Sequence, residues 1–125
     1  MRIYRGVDVH PDHVRGLSFG QAHHLGRHWT TNYQSALRFA TAGIHLPYLE
    51  PHGTVIEATT SPRNIIVPGT QEWKDLGGGA DGGIFYPDHE EQESTIRHGS
   101  NVSVEALHHY VPGKNGPRLL RTIYL

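Results

Sequence analysis

His28-Trp29-Thr30-Thr31-Asn32-Tyr33-Gln34-Ser35-Ala36-Leu37-Arg38-Phe39-Ala40 reads as a short strand that turns directly into a helix. Thr31 and Gln34 have the spacing of a capping box, in which each side chain satisfies a free amide at the helix start. Tyr33, Ala36, Leu37 and Ala40 then fall at i, i+3, i+4 and i+7, one apolar helical face. Phe39 lies beside that face, and Phe39 and Trp29 both read as core. Gly43 suits the stop of the helix. The junction sets the Thr30 hydroxyl at the end of a strand on a rigid base. Taken alone, the two threonines need do no more than cap a helix.

Strands surround this junction. Residues 2–9 alternate Ile3, Arg5, Val7 and Val9 against Tyr4, Gly6 and Asp8, the period of a strand. The pattern turns Arg5 towards the interior side, where a guanidinium is costly unless it is paired or binds an anion. Gly6 beside it allows a close approach to the backbone. Residues 11–17 suggest one or two helical turns. Residues 54–60, 65–67, 94–97, 101–111 and 119–125 read as further strands, with a turn at 61–64. The segment 70–90 carries Gly77-Gly78-Gly79 and Gly82-Gly83 and reads as a long irregular loop, a feature that in compact domains is usually functional.

At 125 residues the chain is read as one domain, residues 1–125, with one core. Many short, closely spaced strands with one or two helices indicate α+β, not a parallel βαβ sheet. Two small antiparallel sheets packed face to face, with a helix on one side, is the economical arrangement. The formal net charge of −1 advertises no nucleic-acid surface. The absence of cysteine removes disulfides, thiolate metal sites and a cysteine nucleophile, and it suits a cytosolic protein. The first residues lack the apolar run of a signal peptide, and no stretch is apolar enough to span a membrane.

Several motifs are missing. The glycine-rich segment has neither the spacing nor the strand-to-helix context of a phosphate loop. No G-x-S-x-G elbow is present. The 11 histidines include His23, His24 and His28, and the pair His108-His109, but no H-E-x-x-H occurs. They read as scattered surface residues, and no metal is expected. Asp88-His89-Glu90-Glu91-Gln92-Glu93 is more unusual. Glu91 and Glu93 project to one side of an extended chain, where two carboxylates repel and one pKa should rise unless cations or hydrogen bonds compensate.

Tyr4-Arg5-Gly6, then Trp29-Thr30-Thr31-Asn32 entering a helix, then Glu91-Gln92-Glu93 entering a strand, resemble in their order the R-S-E pattern of the mono-ADP-ribosyltransferases of the cholera-toxin and clostridial-toxin group. They also resemble small transferase-like proteins of phages and bacteria. Two features depart from the pattern: its Ser-Thr-Ser element stands here as Thr30-Thr31-Asn32, and the chain is short.

The resemblance implies a split β-sandwich with NAD, as substrate, in the cleft between the sheets. Arg5 would hold the pyrophosphate and the Gly6 backbone would approach the nicotinamide amide. Glu93 would stabilise the oxocarbenium-like ribose, and Thr30 would orient Glu93. Glu91 would orient or deprotonate the acceptor, which the glutamate suggests is a guanidino group, protein being favoured over other macromolecules. Thr31 and Tyr86 would complete the NAD contacts, and nicotinamide would leave. The resemblance equally admits a degenerate binding module and an NAD glycohydrolase. It places the chain in the cytoplasm, or in the host cytoplasm for a phage or effector protein.

Overall fold

The computed structural model describes residues 1–15, 28–42, 51–67, 70–75, 93–97 and 100–125. Among them lie β1 (Arg2–Val7), β2 (His28–Thr30), β3 (Gly53–Thr59), β4 (Ile65–Ile66), β5 (Glu93–Ile96), β6 (Ser103–Gly113) and β7 (Gly116–Tyr124). Three helices accompany them: α1 (Pro11–Arg15), α2 (Tyr33–Thr41) and α3 (Gln71–Asp75). Pro62–Asn64 makes one 3-10 turn. The expected α+β class holds.

The strands form one sheet in the order β4-β5-β2-β1-β3-β6-β7, with every neighbouring pair antiparallel. This corrects the expectation of two separate sheets. β1 pairs with β3 over its whole length, from Arg2 with Thr59 to Val7 with Thr54. Among the described residues it shares with β2 the pair Tyr4 with Thr30. Strand count and periodicity are local properties of the chain. Which edges meet is not.

Strand alternation sorts the side chains into two layers. One face carries Ile3, Trp29, Ile56, Ala58, Ile65, Ile96 and Leu107, closed by Val14 of α1 and by Val102. Val7 packs against this cluster, so Arg5, between Ile3 and Val7, lies on the same face, as its position in the repeat predicted. The other face receives α2. Ala36 and Ala40 pack with Val55 and Tyr110, and Tyr4, Tyr33 and Leu37 border them. All four expected apolar positions of α2 thus meet the sheet. Phe39 does not: at 54% exposure it is no core residue, in contrast to the fully enclosed Trp29.

α2 lies very close to the strands. A Cβ at Gly6 would stand 1.9 Å from the Ala36 carbonyl oxygen, and one at Gly53 would stand 2.1 Å from that of Ala40. The close approach expected at Gly6 is therefore made by the helix itself. The helix start also differs by one residue from its expected position. Asn32 is the N-cap, its side-chain oxygen accepting from the amides of Gln34 and Ser35 at 2.9 and 3.2 Å, and the Thr31–Gln34 capping box does not form. Gly43, the expected stop, lies outside the described residues.

Because backbone, unlike a flexible side chain, cannot yield to a new methyl group, Gly6→Ala should push α2 off the sheet. Overpacking of this kind costs about 1–3 kcal/mol or more. Urea unfolding of Gly6→Ala should show that loss, whereas Phe39→Ala, at an exposed site, should stay within about 0.5 kcal/mol of the parent.

Candidate functional site

The pairing of β1, β2 and β5 sets most of the described residues singled out in the sequence on neighbouring backbone. One lateral row crosses the sheet through Glu93, Thr30, Tyr4, Glu57, Ala106 and Tyr124, each directly opposite the next. Thr30 and Glu93 are therefore backbone partners, although 63 positions separate them in the chain. Arg5 is the next residue along β1. The three residues of the R-S-E pattern thus occupy three adjacent strands, β1, β2 and β5. Glu91 and Tyr86 lie outside the described residues.

Thr30 is buried, and its hydroxyl accepts the Asn32 amide at 3.0 Å. That contact fixes the turn from β2 into α2, so part of its role is local, as the capping reading held. Thr31 follows on the turn, half-buried. Alternation places Thr30 in the row of Tyr4, on the helix face, and Arg5 on the opposite face with Ile3. Thr30 and Arg5 thus stand near each other along the backbone but on opposite faces of the sheet, so the pairing does not bring their side chains together. Burial holds the Arg5 guanidinium below the usual arginine range. Gly6 presents its α-carbon to α2.

The helix face of the same row carries polar chemistry that the sequence analysis did not single out. Glu57 forms an ion pair with Arg2 and lies 2.9 Å from His108 Nε2, and His108 Nδ1 lies 2.9 Å from the Thr122 hydroxyl. The Tyr33 and Tyr110 hydroxyls are 2.6 Å apart. Burial, and then the bond to Tyr110, push the Tyr33 hydroxyl far above its ordinary pKa, so it stays protonated. Tyr33 also meets Tyr4 and His108 edge-on, at centroid distances of 5.2 and 5.5 Å. The alternation of β3 could have placed Glu57 on this face; its pairing with His108 required the register of β6.

A second cluster lies on the opposite layer. His10 precedes α1, His52 precedes β3, and His109 stands in β6, one residue before a shift in its pairing with β7. His52 Nδ1 is 3.0 Å from His109 Nε2, and the His10 ring stacks edge-on against both. His109 is 1% exposed. The scattered-surface reading therefore fails for these three, and the adjacent pair His108-His109 is split across the sheet. A signal did exist. His10 follows the end of β1 and His52 precedes the start of β3, and those two ends are neighbours in an antiparallel pair.

Comparison of the chain with family models, curated proteins and solved structures returns no match. Among the described residues no helix is long and apolar enough to cross a membrane.

Burial lowers the His109 pKa to about 4, helped by His10, His52 and Arg121 and opposed by Asp12. The unfolded chain takes up this proton from about pH 6.5 downward, and the folded chain only near 4, so stability at this site is complete above 6.5 and declines as pH falls. Between pH 7.5 and 5 the loss should be about 2 kcal/mol. Urea unfolding in chelating buffer should show that fall in the parent and a flatter profile in His109→Leu.

Proposed function

We propose that the chain is an NAD-dependent mono-ADP-ribosyltransferase with its site where β5, β2 and β1 lie side by side. The observation that carries the reading is the register of Thr30 with Glu93, on β2 and β5, of which β2 is next to β1, the strand that holds Arg5. The motifs were chosen from sequence order alone, and nothing in that order required their strands to be neighbours.

The chemistry suits these residue types. A guanidinium matches the two anionic oxygens of a pyrophosphate, the role proposed for Arg5. Breaking the nicotinamide–ribose bond develops positive charge on the ribose. A fixed carboxylate at Glu93 would stabilise that charge more in the transition state than in the ground state. Thr30 would hold the end of β2 in register with Glu93. Glu91 would accept a proton from the incoming guanidino nitrogen. The finer architecture of the proposal is a split sandwich, with NAD bound between its two wings.

A second reading, an NAD-binding module without transfer, draws on one observation. The Thr30 hydroxyl is already engaged by the Asn32 amide. In that reading the threonine serves the helix start and does not orient a carboxylate.

With NAD and a small guanidino acceptor, the parent chain should release nicotinamide and label the acceptor. Glu93→Gln should lower the rate by 100-fold or more with an unchanged melting curve, and Arg5→Lys should act mainly on KM for NAD. Transfer at the parental rate by Glu93→Gln refutes the assignment. NAD binding with no nicotinamide release by the parent establishes the second reading instead.

A further inference from the structure

We propose that His10, His52 and His109 form a binding site for one divalent ion of the zinc class. The donor nitrogens of the three rings lie within 4.8 Å of one another. Around a tetrahedral zinc ion with Zn–N bonds of about 2.0–2.1 Å, ligand nitrogens stand roughly 3.3 Å apart. His52 Nδ1 and His109 Nε2, at 3.0 Å, are already near that spacing. His10 has only to close in by a rotation of its ring.

The cluster is held from three directions. The Thr54 hydroxyl donates to the Val9 carbonyl at 2.8 Å, which fixes the backbone just before His10. Thr54 pairs with His109 across β3 and β6, and His52 immediately precedes β3. The first turn of α1 adds a bond from the His13 amide to the His10 carbonyl at 3.0 Å. Such anchoring sets ligand positions before an ion arrives, which is what a metal site needs.

The hydrogen bonding points the same way. Two imidazole nitrogens 3.0 Å apart need something between their lone pairs, either a proton or a metal ion. His109 Nδ1 is buried and has no hydrogen-bond partner among the described residues, and coordination through Nε2 would place the ring proton there. The site also has an acidic neighbour. His10 Nδ1 accepts the Asp12 amide at 3.0 Å and lies 3.6 Å from the Asp12 carboxylate. Coordination through Nε2 of His10 would put its ring proton on Nδ1, exchanging the bond from the Asp12 amide for one to the Asp12 carboxylate. Three neutral nitrogens and no thiolate suit Zn2+, Co2+, Ni2+ or Cu2+ over Mg2+ or Ca2+, which prefer oxygen. Three protein ligands leave a fourth position for water.

The site is independent of the transferase reading, since it lies on other residues and its test uses no NAD. The chelator-treated full chain is titrated with Zn2+ in a calorimeter, and Co2+ is added to a second sample for its visible spectrum. The parent should bind one Zn2+ per chain and melt at a higher temperature with it, and Co2+ should give the intense bands of a four-coordinate ion. His52→Ala and His10→Ala, both at partly exposed positions, should each weaken Zn2+ binding at least tenfold. His13→Ala, an exposed control, should bind as the parent does. Binding by His52→Ala and His10→Ala equal to the parent's, an octahedral Co2+ spectrum, or no Zn2+ binding by the parent would overturn the site.

Discussion

Among the described residues, the backbone pair of Tyr4 with Thr30 joins β1 to β2, and so the β4-β5-β2 side of the sheet to the rest. Everything at the proposed transferase site follows from where that pair stands. It aligns Glu93, Thr30 and Tyr4 in one row, with Arg5 next along β1. Thr30 and Asn32 are committed to the turn from β2 into α2, and α2 then lies flat on Gly6 and Gly53. One short stretch of sequence thus sets the helix position and the pairing of β2 together.

The two faces of the sheet divide the chemistry. The helix face gathers hydroxyls, Glu57 and His108 around an aromatic contact. The other face is an apolar cluster with Arg5 between Ile3 and Val7, and three imidazoles that include His10, just before α1. Strand alternation enforces the division, and His108 and His109 show it within one dipeptide. One imidazole joins Glu57, while the other is enclosed beside His10 and His52.

The local rules were readable in the sequence. The apolar stripe Tyr33, Ala36, Leu37, Ala40 meets the sheet as its spacing required, and Arg5 shares a face with Ile3 and Val7. Most strand positions follow from period and turn chemistry. What escaped depended on distant parts of the chain. Thr30, Thr31 and Asn32 can each cap a helix, and Asn32 is the one that does. Phe39 is apolar but sits one step round the helix from the buried stripe, so it faces outward. The pairing of β1 with β2, which makes one sheet of the strands, joins residues far apart in the chain and leaves no mark in composition. Histidines at 10, 52 and 109 have no common spacing, and only the antiparallel pairing of β1, β3 and β6 brings them together.

The central claim is spatial: one dinucleotide is in contact with β1, the end of β2 and the start of β5. Hydrogen exchange of the full chain with and without NAD reads this directly. The account predicts slowed exchange at the amides of residues 4–7, 30–33 and 93–95, with β6 and β7 unchanged. Protection that is absent, or that is confined to the segments carrying His10, His52 and His109, would contradict it.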